Sequence, residues 1–335
     1  MIKAESVSKK LDKFKLKDIS FELPSGYICG LVGRNGSGKT SLLHLILGLY
    51  HADSGRISVF GMEYADNEKM IHDRIGTVLV EELFLPELSI KENADYFGKF
   101  YSKYSWDRMR EYLVRFGLAD AECASEECGE DADGVHGKDN KNTEDTDVKR
   151  HANEYNNNHL YPGKNYKKQN GKESGERRQF GKLSKGQRLK CQFAFALSYS
   201  PDILILDEPT GNFDPDFREH FLDILKEFIA DGTRTVILAT HLTDDLDRLA
   251  DYLIYLEDGE EVFAGDIESF RNEYRVVSGE AYKLKLIPKE KLISMDEKKY
   301  GSRALVHHRK YYKYDPEVQV SAPAIEDFMY LYSKR

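Results

Sequence analysis

The chain has 335 residues, 40% of them hydrophobic, which is material for two domains with buried cores and excludes disorder throughout. With 49 Lys and Arg against 58 Asp and Glu, the net charge of -9 disfavours a broadly basic nucleic-acid binder, so no nucleic-acid partner is expected. Cys29, Cys123, Cys128 and Cys191 are too scattered for a disulfide framework and fit a reducing cytosol, and no apolar run approaches the roughly 18 to 20 residues of a membrane-spanning helix.

Residues 27–32 form a short, apolar, β-rich run. The stretch Gly33-Arg34-Asn35-Gly36-Ser37-Gly38-Lys39-Thr40 follows, and residues 41–49 then carry leucines at helical spacing. This order predicts strand, glycine loop, helix. Gly55 punctuates a polar turn, and residues 56–60 alternate like an exposed antiparallel strand. Over residues 92–116, Tyr96, Phe97, Phe100, Tyr112, Leu113 and Phe116 recur at helical intervals and predict a small helical lobe.

Composition then changes abruptly. Across residues 119–178 Asn, Glu, Asp, Lys, Gly and His dominate, which predicts an inserted, mostly disordered segment, acidic over 120–147 and basic over 149–178. Order resumes at Phe180, and Leu189, Phe193, Ala194, Phe195 and Leu197 give residues 180–198 a helical pattern. Ile203-Leu204-Ile205-Leu206 is a continuous apolar strand ending in Asp207-Glu208-Pro209, and residues 235–239 form another, ending at Thr240-His241. Continuous rather than alternating apolarity means strands covered on both faces, hence an α/β fold with a mainly parallel sheet flanked by helices. Residues 276–335, rich in Tyr and Lys, predict a small C-terminal α+β domain.

Two features carry chemistry on their own. Gly33-x4-Gly38-Lys39-Thr40 is a phosphate-binding P-loop pattern between a strand and a helix: its glycines let backbone N–H groups converge on phosphate oxygens, Lys39 adds a point charge, and the Thr40 hydroxyl suits Mg²⁺. Asn35, Gly36, Ser37 and Ser41 belong to the same cradle. Asp207 and Glu208, at the carboxyl end of a buried strand, stand where open α/β sheets bind ligands. Asp207 would hold Mg²⁺ and Glu208 would polarise an attacking water.

With Leu183-Ser184-Lys185-Gly186-Gln187 added, the chain resembles the nucleotide-binding subunit of an ATP-binding cassette (ABC) transporter. That pentapeptide looks like the family's signature motif, with Lys185 in place of a family glycine. Gly211-Asn212-Phe213-Asp214 resembles the D-loop, and His241 the switch histidine. The resemblance implies a P-loop NTPase core with an antiparallel β subdomain and a helical signature lobe, built from residues 1–118 and 179–275 and interrupted by 119–178. It also implies ATP and Mg²⁺ as cofactors. A second ATP-binding subunit would pair head to tail, so that Ser184, Gly186 and Gln187 of one copy, with Asp214 nearby, face nucleotide on the P-loop of the other. An integral-membrane permease would be the driven partner, at the cytoplasmic face of the membrane. Residues 30–36 and Ala324-Ile325-Glu326-Asp327-Phe328-Met329 look like exporter-type (ABC-2-like) subunits of Gram-positive bacteria, which implies export of a peptide or lipid-like compound.

Two positions depart from the family. Val80 occupies the place of a Gln that contacts Mg²⁺, leaving Glu81 or Glu82 as a substitute metal contact after a one-residue shift. Leu11 occupies the place of the adenine-stacking aromatic; Phe14, three residues away, either stacks instead or packs inward as a strand residue. The cluster of Cys123, Cys128, His136, His151 and His159 matches no zinc spacing. His307-His308-Arg309-Lys310-Tyr311-Tyr312-Lys313-Tyr314 interleaves bases and aromatics. It is the contact surface on the alternative reading, a soluble ABC ATPase acting on ribosomes or nucleic acid. Against that reading stand a single cassette and an insert without sustained heptads.

Overall fold

A computed structural model of the chain describes residues 2–12, 14–79, 83–119, 178–298, 301–308 and 313–335. The expected insert at 119–178 therefore lies almost entirely outside the described residues.

The parallel strands β3 (Ile28–Val32), β5 (Ile75–Val78), β6 (Ile203–Asp207), β7 (Thr235–Ala239) and β8 (Tyr252–Glu257) lie in the order β8-β3-β7-β6-β5. Every residue of β3, β6, β7 and β8 is buried. Alternate side chains enter two separate cores: Leu204 and Leu206 face the helical side, while Ile203 and Ile205 face the other. A largely antiparallel extension, joined by one parallel contact between Lys17 of β2 and Glu260 of β9, completes the sheet. In it β1 (Ile2–Leu11) pairs with both β2 (Phe14–Leu23) and β4 (Ser54–Val59), and β9 (Glu260–Asp266) joins β2 to β8. The strand expected over 56–60 is β4, antiparallel as expected.

Four short helices pack around this sheet: α1 (Lys39–Ile46), α2 (Tyr64–His72), α3 (Ile90–Gly98) and α4 (Trp106–Arg115). Helix α1 opens at Lys39, inside the expected glycine loop, and ends at Ile46. The helical run expected over 92–116 is two helices, because the chain turns after Gly98 and Ser105 caps a new start, its hydroxyl accepting from Arg108 N. These helices and α5 (Lys185–Ser198) form a lobe with an aromatic core, where Phe84 meets Phe180 and Phe195 edge-on, each at 5.2 Å. Phe84 is thus core, while Leu83, Leu85 and Pro86 around it are exposed. Helices α6 (Pro215–Ile229) and α7 (Thr243–Leu249) cover the same face of the sheet.

After α8 (Ile267–Glu273) a four-stranded antiparallel sheet forms from β10 (Tyr274–Gly279), β11 (Leu292–Asp296), β12 (Ser302–His307) and β13 (Gln319–Ser321), with the short helix α9 (Ala281–Leu284). The composition shift near 275 falls inside β10 rather than in a linker, since Tyr274 packs on Phe270 and Phe328. The last helix, α10 (Ile325–Tyr332), buries Ile325, Phe328 and Leu331 in the same apolar cluster as Leu246, Leu253 and Tyr255. The C-terminal region is therefore fused to the core beneath the large sheet through α10, not hung beside it.

Candidate functional site

Parallel pairing sets three strand ends level. Leu31 and Asp207 both lie opposite Ala239, so Gly33, Asp207-Glu208 and Thr240-His241 emerge at one sheet edge. The loop from Gly33 begins against the opposite hairpin: a side chain at Gly33 would meet the Leu256 carbonyl and the Ser37 hydroxyl. Gly38, at φ 108, caps α1 in the left-handed region, and a Cβ there would stand 2.8 Å from the Phe14 ring and 2.6 Å from Leu16. Phe14 thus lies over the last glycine of the loop. No side chain caps α1, so its first N–H groups are left to a ligand or solvent.

These residues border a cleft of about 390 Å³, with Leu11 and Phe14 on one side, Asn35, Gly36 and Gly38 through Ser41 along its floor, and Asp207 and Glu208 opposite. Lys39 is buried and its ammonium donates to Gly33 O at 2.8 Å. Burial lowers its pKa, and the charges of Glu208 and Asp207 oppose that shift. The Thr40 hydroxyl donates to Asp207 Oδ2 at 3.0 Å, and Asp207 is buried. A hydroxyl beside a buried carboxylate suits a divalent cation, which Thr40 and Asp207 would hold. The Ser37 hydroxyl, buried with no hydrogen-bond partner among the described residues, also fits a cradle built for a ligand.

Glu208 has a left-handed backbone, φ 51, at the start of a short 3-10 turn over Pro209–Asn212, a conformation that costs free energy for a residue with a side chain. Its N–H donates to Ala239 O at 2.8 Å, tying the turn to β7. The result is contact with the next strand end: Glu208 Oε2 lies 2.6 Å from His241 Nδ1 and accepts from His241 N at 3.3 Å. Thr240 Oγ1 accepts from Leu242 N at 3.0 Å and fixes the loop that carries His241.

The signature residues stand elsewhere. Ser184 caps α5 in a capping box with Gln187: its hydroxyl accepts from Gln187 N, and Gln187 Oε1 accepts from Ser184 N at 3.0 Å. Ser184 and Lys185 are exposed, and neither they, Gly186 nor Gln187 borders the P-loop cleft. Asp214 is the N-cap of α6. Glu81, Glu82 and Val80 lie outside the described residues, as do Cys123, Cys128, His136, His151, His159 and residues 309–312. Cys29 and Cys191 are free, buried thiols whose pKa burial pushes up, with no part at the cleft. Sequence reasoning missed the support behind the site: Arg218 Nε reaches both oxygens of the buried Asp245, at 3.1 and 3.0 Å, locking α6 to α7 behind the Asp214 and His241 loops. No local motif marks that pair.

Similarity to known proteins agrees with this geometry. The sequence profile of the family described as "ABC transporter" matches residues 16–211, more than half of the chain. The chain is 28% identical over 257 residues to the uncharacterized ABC transporter ATP-binding protein YdbJ of Bacillus subtilis, and 27% identical over 256 residues to Nod factor export ATP-binding protein I of Burkholderia lata. Each alignment covers 76% of this chain, and the chain spans 66% of the length of each relative. Among solved structures, an ATP-binding subunit of an ABC transporter superposes with a TM-score of 0.59 at 19% identity, over 81% of this chain and 92% of that one. A dimeric ATP-binding cassette in a post-hydrolysis state, bound to ADP and Pi, gives 0.56 at 20% identity, over 80% and 99%. The fold of these two is shared, and the chain belongs to the ABC transporter family.

Proposed function

We infer that this chain binds and hydrolyses ATP to power a separate integral-membrane permease, from the cytoplasmic face of the membrane. One observation carries the reading: at a single sheet edge, the Thr40 hydroxyl meets Asp207 at 3.0 Å and Glu208 meets His241 at 2.6 Å, beside an uncapped helix start. Backbone N–H groups of the P-loop and the Lys39 ammonium would hold the β- and γ-phosphates. Thr40 and Asp207 would hold Mg²⁺, which when bound neutralises charge on the phosphate oxygens. Glu208 would orient and polarise the attacking water, and His241 would keep the Glu208 carboxylate in line. Phe14, over Gly38, is placed to cover the adenine.

A second ATP-binding subunit, identical or homologous, would complete the site. Its α5 N-terminus, with Ser184, Gly186 and Gln187, would meet the γ-phosphate at the seam, with Asp214 nearby. The exposure of that helix start, away from its own P-loop, supports this arrangement. For the permease, a groove of about 440 Å³ lined by Asp66, Met70, Asp73, Lys99, Phe100 and Ser102 supports a docking surface, with Met70 and Phe100 exposed at its rim. Similarity to the Nod factor export ATP-binding protein I of Burkholderia lata supports the exporter direction, and a peptide or lipid-like compound is the proposed cargo.

Glu208→Gln tests the chemistry. Steady-state hydrolysis is expected to fall about a thousandfold while ATP binding persists and the ATP-bound protein becomes dimeric by light scattering. Near-normal turnover would remove Glu208 from its role. Co-purification with a detergent-solubilised membrane protein is the expected sign of the permease.

A further inference from the structure

The turn joining β8 to β9 forms one wall of the P-loop and is tied to α10. Glu257 pairs with Glu260 across a two-residue turn, Asp258-Gly259, both left-handed at φ 49 and 79. Gly259 N donates to Ser37 O at 3.1 Å, and the bare Gly33 leaves room for the Leu256 carbonyl. The turn's own anchor is Glu257, 7% exposed, whose Oε2 accepts from Tyr255 Oη at 2.7 Å. Strand side chains alternate, so these two residues share a face. On that face the Tyr255 ring meets Phe328 and Tyr332 of α10 edge-on, at 5.3 and 5.6 Å. The end of α10 and P-loop residues 34–37 then line a common cavity of about 490 Å³, with Glu257 in its wall.

Tyr255, Glu257 and the residues of α10 take no part in the phosphate chemistry described above. We propose that the Tyr255–Glu257 pair positions the P-loop, and that the packing of α10 sets nucleotide affinity through it; the inference rests on the reading of the P-loop as the nucleotide site. A carboxylate this buried needs a donor, and Tyr255 supplies it. Burial and the neighbouring Glu257 push the Tyr255 phenol up, so it remains a donor across the working pH range. Without that hydroxyl the Glu257 carboxylate swings toward solvent or Arg34 in the cavity, and the turn that holds Ser37 and walls Gly33 moves with it. The effect falls on binding rather than on chemistry, because Asp207, Glu208 and His241 are held at the ends of β6 and β7, not β8.

Titration of the full chain with a fluorescent ATP analogue, together with steady-state hydrolysis, tests this. Tyr255→Phe keeps the ring and is expected to raise Kd and KM about three- to tenfold with kcat unchanged. Glu257→Gln keeps a carbonyl acceptor for Tyr255 and should stay within about twofold. Tyr332→Leu, acting from α10, should raise Kd about two- to threefold. A merely structural role would instead lower kcat with the folded fraction and leave KM alone, and that pattern overturns the proposal. So does wild-type Kd in Tyr255→Phe. A wild-type chain that binds no nucleotide overturns the reading of the site as well, whereas wild-type binding with no response in Tyr255→Phe overturns this inference alone.

Discussion

The two ends of the candidate site are built differently. At the P-loop end everything converges within one chain: Lys39, Thr40, Asp207 and Glu208 share a cleft, and His241 reaches Glu208 from the neighbouring strand. At the signature end, Ser184 and Gln187 satisfy each other, Ser184 and Lys185 face outward, and neither Ser184, Lys185 nor Gln187 borders the P-loop cleft. A phosphate bound at the first end gains Lys39 and the uncapped N–H groups of α1 from its own chain. At the second end the helix dipole of α5 opens beside an exposed capping box, away from the P-loop cleft. On the proposed reading, the first half binds nucleotide within its own chain and the second acts on nucleotide held by a partner.

That asymmetry can be broken by mutation, with the largest effect first. Lys39→Ala removes the one ammonium that lines the cleft among the described residues and is expected to weaken ATP binding by about a hundredfold or more. Gly186→Trp, at the exposed start of α5, should leave ATP binding by single chains near normal while abolishing hydrolysis. The informative experiment mixes the two inactive proteins. If the halves act across a seam, each mixed dimer keeps one site built from an intact P-loop and an intact signature. An equal mixture should then recover about a quarter of wild-type hydrolysis by pairing statistics. A mixture as inactive as its components, with dimers present, would place both halves of the machinery in one chain.

A smaller effect is expected at the cleft's apolar wall. Phe14 is half-buried beside Gly38, and Leu11 borders the same cleft. If the ring covers adenine, Phe14→Ala should weaken ATP about five- to tenfold, with inorganic triphosphate inhibition unchanged. If the ring only packs on Gly38 and Leu16, both ligands weaken together, because the P-loop itself shifts. The comparison of the two ligands decides between the alternatives that the sequence leaves open.

The site's phosphate end was legible because its signals are local. Gly33, Gly38, Lys39 and Thr40 sit within one loop, and the unbroken apolarity of residues 203–206 and 235–239 follows from burial on both faces of a parallel sheet. Local signals misled where boundaries depend on caps or on distant packing. The periodicity over 92–116 does not show that Ser105 restarts the helix, and the change in composition at 275 does not show that Tyr274 is already sealed against Phe328. Nothing local marks the left-handed Glu208, since the strain is held by β7 through Ala239. The Arg218–Asp245 and Tyr255–Glu257 pairs are likewise consequences of tertiary approach: the first joins residues 27 positions apart in the chain, and the second matters because α10 returns to cover β8.

The smallest expected effect separates a structural duty at the seam from a ligand contact. Asp214 Oδ1 accepts from Phe217 N at 2.9 Å as the N-cap of α6, and Lys190 Nζ lies 3.3 Å from Oδ2. The Phe217 N–H, ahead of Lys190, holds the carboxyl below its ordinary value of 3.8. Its side chain is 60% exposed, so solvent screens the ion pair and the cap dominates. Asp214→Ala should therefore cost about 1 kcal/mol in urea unfolding at pH 7. A folded-state pKa below the unfolded one means that the charged cap contributes fully above about pH 4 and fades as the pH falls through the folded value. The gap between wild type and Asp214→Ala should accordingly narrow below pH 4, and a gap that widens there would remove the carboxylate as its source. Asp214→Asn keeps an N-cap without the charge and should restore most of the stability at pH 7. If hydrolysis is restored with it, the residue serves α6; if hydrolysis stays low in a protein that is again stable, the carboxylate itself reaches across the seam.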